Sequence, residues 1–474
     1  MTQTNSLAFE GASNEYRLQR KGLLKGDADK VSGRELQYLW SRSHHLCRNN
    51  AAAITAKNRL QAHWVGTGIT VKWDNDRMQT LWDNFAENPN VDGWGDLYNL
   101  QNLWAGSYFE SGEVFSRMIV RRQEGRTVPL QLQTLEAEFL DPLFYNYEQN
   151  IRNGIQFDNF GKPTVYHFWK GSPYAMPIRS SFPVERVTVS AEDVIHIFNR
   201  ERPGQWRGVP RLAAVMLPLY EMDELTDATL VRQKAAQALG WIIKKKESGA
   251  LPLLGAMQTT PVQEVDQETG KTKKLQKIIP GGIHYLQPDE DFIFATTDDI
   301  GPNLVVLLEH QWHLIASALD VTYEQLTGDL SGVNYSSIRA GLIEFRRRVA
   351  VIQQLVFVNM AMKPLTARFQ QLASLYTNKD IKTASCKFIF PKTDWTDPLK
   401  DIQADILEVQ AGFSTLHEKL AERGIEDFED HIKTLASEQG LDIVLSTNPK
   451  AGTKAEAKAP QNSSTRSATD NRNE

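Results

Sequence analysis

The chain has 474 residues, with 53 lysines and arginines against 58 aspartates and glutamates, a formal charge of −5, and 41% apolar residues before glycine is counted. That length can bury a sizeable core unaided, and a prior of about 150 residues per domain suggests about three compact units. Three classes are disfavoured: a membrane-spanning chain, since runs such as Leu304–Leu308 fall far short of about 18 uncharged apolar residues; a disulfide framework, with only Cys47 and Cys386; and a protein built mainly to grip nucleic acid. No signal-peptide core opens the sequence, so the expectation is a large soluble intracellular protein.

Residues 1–33 are polar and glycine-spotted, an arm with little structure of its own. Residues 34–209 read as an α+β region. A helix is predicted over about Glu35–Gln61, followed by a Gly-rich turn (His63–Gly68) and a strand at Ile69–Trp73. Helices around Met78–Ala86 and Leu97–Tyr108 come next, and then mostly strands: Val114–Arg121, Leu130–Leu135, Val165–Trp169 and Val194–Phe198. Asn153-Gly154 and Asn159–Pro163 supply turns. Pro210 suits the first turn of a helix over about 210–240, and Pro218 inside it should bend it.

Residues 241–298 read as a compact insertion, with a strand at Trp241–Lys244, hairpin-turn chemistry in Asp266–Lys271, and a return through Ile278–Leu286. A second helix, Asn303–Leu319, lies within 299–326. Thr327, Gly328, Asp329, Leu330, Ser331, Gly332, Val333 and Asn334 then form a glycine-rich stretch expected to be a mobile loop. Ile338, Leu342, Phe345, Val349, Ile352 and Val356 recur at spacings of four and three, the strongest periodic signal in the chain. A helix from Ser336 to about Leu375 would be roughly 60 Å long, kinked at Pro364. Residues 377–445 hold a strand (Lys387–Phe390) and two helices, opened by Asp397-Pro398 and by a Thr415/Glu418 capping box. Residues 446–474 have almost no large apolar side chains and read as a disordered tail.

Catalytic chemistry finds no home. Gly270-Lys271-Thr272 ends like a phosphate-binding loop, but Val265 stands where the other glycine is needed and acidic residues precede it where a strand should be apolar. His310 and His313 lie three apart on a helix and His44-His45-x-Cys47 is a similar cluster, yet neither has a further ligand in sight. No nucleophile elbow or dinucleotide fingerprint occurs. The expectation is no enzyme activity, no metal and no cofactor. Two basic runs, Lys244, Lys245, Lys246 and Arg346, Arg347, Arg348, are candidate polyanion or intersubunit contacts, with solvated charge as the ordinary alternative.

Four segments, in order, resemble the lambda-type portal proteins of tailed bacteriophages over most of the chain. They are Arg48-Asn49-Asn50 with Trp64–Ile69; His196-Ile197-Phe198 leading into Arg202-Pro203-Gly204-Gln205-Trp206-Arg207-Gly208-Val209-Pro210; Leu326–Asp329 with Asn334–Ala340; and Gly412-Phe413-Ser414 with Glu422-Arg423-Gly424. Pro280-Gly281-Gly282 departs from the family, which usually has an acidic residue after the first glycine. The resemblance implies a portal fold of wing, stem, clip and crown-like C-terminal region, assembled as a ring, typically of twelve subunits, at one capsid vertex. It implies double-stranded DNA passing weakly bound through the channel, with a terminase large subunit, capsid or scaffold protein and a head-completion protein as partners, and no membrane. On it, 34–209 is wing, 210–240 and 299–326 are stem helices, 241–298 is the clip, 327–335 the tunnel loop, 336–376 the wing's spine and 377–445 crown-like. The location implied is the virion's portal vertex, and the host cytoplasm during assembly. Two other readings stay open: a non-channel scaffold or adaptor with a long interaction helix, and a nucleotide-binding enzyme using Gly270-Lys271-Thr272.

Overall fold

A computed structural model describes residues 35–122, 125–171, 185–238, 242–245, 262–265, 272–275, 290–293, 302–377, 383–391, 398–416, 419–420, 431, 433–434 and 437. The expected arm 1–33, tail 446–474, Lys246, the 266–271 turn and the 278–286 return lie outside these residues. By internal packing the chain divides into two units, 1–396 and 397–474.

The first expected helix is two. α1 (Leu36–Asn49) stops at Asn50, whose backbone is extended (φ −102°, ψ 123°), and α2 (Ala51–Trp64) starts there. Asn50 Oδ1 accepts the Ala53 N–H at 2.9 Å, and its Nδ2 donates to Asp223 at 2.8 Å. A side chain that can bind its own backbone competes with helix continuation, so Asn50 caps where the apolar periodicity alone ran straight through. β1 (Thr70–Trp73) follows, then α3 (Asp76–Ala86) and α4 (Leu97–Ser111), capped by Asn75 and Asp96.

Seven strands build two antiparallel sheets. β2 (Glu113–Val120), β3 (Leu130–Leu135) and β8 (Val194–Phe198) form one in the order β3-β2-β8. β4 (Ile151–Arg152), β5 (Ile155–Phe157), β6 (Pro163–Trp169) and β7 (Arg186–Ser190) form the other in chain order. Asn153 and Gly154 both have positive φ (50° and 81°), the geometry a two-residue hairpin requires. The three-stranded sheet is buried on both faces. Val114, Met118, Ile195 and Ile197 point into the helical core, while Phe115, Leu135 and Val194 meet Ile155, Phe157 and Phe168 of the second sheet. Alternation of side chains along a strand thus serves two cores at once.

α5 (Met216–Ala238) begins six residues later than Pro210 suggested. Residues 211–215 are turns, with Ala213 N–H donating to Pro210 O and Val215 N–H to Leu212 O. Pro218 therefore sits in the first turn, where a missing N–H costs nothing, instead of bending a helix interior. β9 (Ile242–Lys245), β10 (Val262–Val265), β11 (Thr272–Leu275) and β12 (Glu290–Ile293) come next; β10 pairs with β11 and β9 with β12, both antiparallel. The β10–β11 pair brackets residues 266–271, as the turn chemistry anticipated. α6 (Pro302–Ala318) leads to a short helix the sequence reading missed, α7 (Tyr323–Thr327), held by a Thr322/Gln325 capping box.

The long helix is not one regular α-helix. α8 (Tyr335–Ile352) passes into a π-helical stretch, Gln353–Met362, and then α9 (Lys363–Tyr376). Lys363 N–H donates to Val358 O, five residues back. The next residue, Pro364, has no N–H to donate, so the change from five-residue to four-residue spacing falls where no hydrogen bond is lost. Pro364, where the sequence led to the expectation of a kink, lies in the first turn of α9, directly after the change of winding. By length and composition residues 336–376 could cross a bilayer, with mean hydropathy 1.2 over 18 residues. In the fold that apolarity serves the core. Val356, Phe357, Val358, Ala361 and Met362 are all buried, and Phe357 meets Trp64 at 6.2 Å and Tyr108 at 6.0 Å between ring centroids. Phe369 adds an edge contact to Trp82 at 5.0 Å.

β13 (Cys386–Ile389) pairs antiparallel with β1, and Asp74 accepts both the Ser385 N–H and hydroxyl, tying this late strand to the first. In the second unit, α10 (Pro398–Gln410) ends at Gly412 (φ 79°), with Phe413 N–H donating to Glu408 O and Gly412 N–H to Val409 O, a Schellman termination.

Truncating Phe357 to alanine should cost about 3–5 kcal/mol of unfolding free energy. Adding Trp64→Ala should cost less than it does alone, because the two rings share a contact; denaturant titration of the two single variants and the double variant measures this coupling.

Candidate functional site

The loop expected at 327–334 is exposed but fixed at both ends. Gly328 closes α7 with a left-handed backbone (φ 76°), its N–H donating to Glu324 O. Thr327 Oγ1 accepts the Asp329 N–H at 3.2 Å, and Asp329 Oδ1 accepts the Ser331 N–H at 2.9 Å. The hydrogen bonds from Ser331, hydroxyl first and N–H second, hold the Asp329 carboxyl below its ordinary range. At the other end Asn334 caps α8, its Oδ1 accepting the Ser337 N–H at 2.9 Å while its own N–H donates to Ser337 Oγ at 3.2 Å. Between the two caps Gly328, Asp329, Leu330, Ser331 and Gly332 are exposed, Leu330 by 63%, and Val333 is half-buried. Asp329 carries the loop's sole formal charge.

The arginine run stands apart from this loop along α8. Arg346 lies twelve residues beyond Asn334 along α8, about 18 Å at 1.5 Å per residue. Arg347 pairs with Glu344 at 2.9 Å and Arg348 approaches it at 3.9 Å, on the exposed side of the helix; Arg346 is half-buried. Lys244 and Lys245 sit on β9 in register with Asp291 and Glu290 of β12. Among the described residues no group of three or more histidines, cysteines or acids could hold a metal. His313 stacks on Tyr323 at 4.2 Å, and His45 on Tyr220 at 6.2 Å. Thr272 opens a strand, whereas a phosphate-binding loop needs a helix after its lysine.

A buried polar centre that residue-by-residue reading did not single out lies beneath the Arg202–Pro210 segment. Glu113, at the start of β2, and Arg207 are both fully buried. Arg207 Nε donates to Glu113 Oε1 at 2.8 Å and Nη2 lies 2.6 Å from the same oxygen. Two further guanidinium hydrogens reach Asn153 O and Ala137 O, each at 3.1 Å, so one side chain ties together β2, the β4–β5 turn and the short turn Ala137–Phe139. Trp40 of α1 and Phe115 of β2 lie 5.4 Å and 5.8 Å from the guanidinium carbon. Glu113 Oε2 accepts the Gly208 N–H at 2.8 Å and the His196 Nε2–H at 3.0 Å; His196 Nδ1 in turn accepts from the Tyr166 hydroxyl at 3.3 Å.

The neighbouring residues make this geometry attainable. Gln205 accepts the Glu201 and Arg202 N–H groups and donates to Arg207 O, shaping the turn that aims Arg207 inward. Trp206 packs on Phe157 at 5.0 Å. Gly112 and Gly208 abut backbone to backbone. A Cβ on Gly112 would stand 2.1 Å from the Val209 carbonyl, and one on Gly208 2.1 Å from Gly112 O, so neither position admits a side chain. The only advance signal for the centre was the motif itself, an arginine between Trp206 and Gly208.

Burial alone would raise the Glu113 pKa, but the Arg207 charge and the His196 hydrogen bond outweigh it and hold the carboxyl below its ordinary value. Burial lowers that of His196, against the opposing pull of Glu113. Both shifts give stability that is present above the ordinary values of 4.5 and 6.5 and is lost as pH falls through the shifted ones. Glu138 behaves oppositely. It is buried, neither carboxylate oxygen accepts a hydrogen bond among the described residues, and the His44 imidazole 3.5 Å away has its own pKa lowered by burial, so it offers little positive charge. Burial pushes its carboxyl up to about 7, so its contribution is full below 4.5 and lost as pH rises through about 7.

Arg207→Met strands a buried carboxylate and should cost about 3–5 kcal/mol, with part recovered in Glu113→Gln/Arg207→Met, as read by denaturant unfolding. Glu138→Gln should gain on the natural protein as pH rises from 5 to 8, by on the order of 1–3 kcal/mol, in the same measurement repeated across that range.

The family model described as phage portal protein, lambda family, matches residues 17–353. The probable portal protein of Halomonas phage phiHAP-1 is 22% identical over 444 residues, covering 88% of this chain and 80% of that protein. Portal protein B of Escherichia phage lambda is 22% identical over 432 residues, covering 82% and 81%. Among solved structures, the neck of a native gene transfer agent particle aligns with a TM-score of 0.46 at 15% identity, covering 85% of this chain and 95% of that one. An HK97 family phage portal protein from Corynebacterium diphtheriae gives 0.33 at 12%, covering 77% and 97%. Both structures are too distant for their assemblies to be carried over. The family match is not: it runs from residue 17 to 353, taking in the Glu113–Arg207 centre and the capped 327–334 loop, and the chain belongs to the lambda family of phage portal proteins.

Proposed function

We propose that this chain is the subunit of a ring-shaped channel at one capsid vertex, through which double-stranded DNA is packaged by a terminase motor and later ejected. The ring is typically of twelve copies. It docks the terminase large subunit first and a head-completion protein afterwards, and meets the capsid or scaffold protein around its rim. In this assignment residues 34–209 and the helix 336–376 form the wing, α5 and α6 the stem, 241–298 the clip, 327–335 the tunnel loop and 377–445 a crown-like region. The protein acts in the virion, after assembly in the host cytoplasm, as a structural part and not an enzyme.

The observation that carries this reading is the 327–334 loop. It projects from two capped helix ends, exposes Leu330 and the glycines around it, and carries Asp329 without any lysine or arginine. Each phosphate neutralised by a cation adds a salt-sensitive grip, and a conduit must let DNA slide. A loop that touches DNA by shape alone suits passage, and the chain's charge of −5 suits a weak partner throughout. An interaction rod without a channel would have no use for a protruding loop capped at both ends.

Deleting residues 328–332 should abolish DNA packaging or retention in particles while purified protein still forms rings. Loss of rings in that deletion would overturn the tunnel-loop assignment. Negative-stain microscopy of the natural chain checks the larger claim: closed rings with a central pore are expected, and a strictly monomeric population at every concentration and salt would sink it.

A further inference from the structure

We infer that two exposed rows on each subunit, Leu217–Glu221–Leu225 on α5 and Ile343–Arg347–Val351 on α8, are made for each other and meet between adjacent copies. The inference rests on the ring reading above and names the contact that would build it.

Both helices already bury one side in the same core, α5 through Met216, Leu219 and Met222, and α8 through Phe345 and Val349. The opposite side of such a helix is ordinarily polar. Here it is not. Leu217 is 67% exposed and Leu225 36%, while Ile343 is 52% and Val351 46% exposed. Each row steps by four residues and puts one charge between two apolar side chains, acidic on α5 and basic on α8. Glu224 reinforces the first charge and Arg348 the second.

Rows spaced by four are the ridges that interdigitate when two helices pack. An Arg–Glu pair flanked by apolar side chains would be shielded from water, the setting in which charge-assisted hydrogen bonds are strongest. Glu344 now satisfies Arg347 at 2.9 Å, but an exposed pair three residues apart on one helix is worth little and is readily exchanged. A nucleic acid would suit the arginines but not Ile343 and Val351. Since both rows are exposed, neither covers the other within one chain, and a second copy supplies the complement. Two different patches meeting head to tail propagate a contact that closes into a ring when the rotation allows.

The test uses full-length chains and negative-stain counting with light scattering. One variant carries Glu221→Lys and Glu224→Lys, the other Arg347→Glu and Arg348→Glu, and circular dichroism checks that each folds. Each variant alone places like charges across the contact and should lose at least about tenfold in ring fraction. An equimolar mixture should regain rings, because every contact in an alternating ring then joins opposite charges. Rings that persist in either variant, or a mixture that stays unassembled, overturn the pairing. The natural chain run alongside separates the two claims: no rings there overturns the ring reading and the pairing with it, whereas natural rings indifferent to both reversals overturn the pairing alone.

Discussion

The Arg207–Glu113 pair is the contact on which the rest of the first unit depends. A fully buried guanidinium must find a partner for each of its donors, and here the partners come from chain positions separated by up to 94 residues. Satisfying them places β2, the β4–β5 turn and the Ala137–Phe139 turn around a single group, with Trp40 of α1 lying against it. The segment that delivers Arg207 also leads into α5, so the same contact that closes the sheets sets where the helical part of the subunit departs. Such a pair adds little net stability over an apolar filling, since desolvation offsets its attraction. Its value is geometric: any arrangement that displaces one element strands a buried charge.

The helical side of the core is governed by a different constraint. Residues 353–362 must present apolar side chains to more than one neighbour, and Val356, Phe357 and Val358 are buried in succession. The π-helical winding of this stretch ends at Met362, just before Pro364, where a backbone donor is missing anyway. Periodicity read from sequence finds the stripe Ile338 to Val356 but not this change of winding, because all of the stripe except Val356 lies in α8, before the π-helical stretch begins at Gln353.

Local chemistry was legible and long-range pairing was not. Leu130–Leu135 and Val194–Phe198 are strands with the bounds their composition indicated, and Asn153-Gly154 makes the turn its residue types require. The break at Asn50 was hidden because a single capping residue barely disturbs the apolar spacing from Leu36 to Ile54. The bend assigned to Pro218 vanished because the turns at 211–215 delay the helix until the proline falls in its first turn. Glu113 reads as an ordinary strand residue, since what makes it special is Arg207, 94 residues further along the chain. The 327–334 loop was found from its glycines, yet its side-chain anchors and the short helix before it came only with the fold.

Charge placement gives these parts a common sense. The chain keeps lysine and arginine off the loop proposed to face DNA, and buries Arg207 where it can organise the subunit. Arg347 is left at the surface between exposed apolar side chains, a poor setting for a phosphate backbone and a good one for a carboxylate on another copy. On the proposed channel reading, a subunit must hold its neighbours firmly and its cargo loosely. The proposed contacts between copies, directional and partly apolar, would meet the first need, because they weaken little when salt rises. An uncrowded, nearly uncharged loop meets the second, because it offers DNA no counterion to exchange. The same residue type therefore has opposite consequences in the two places, and the arginines stand where a firm grip between proteins, not a grip on DNA, would follow.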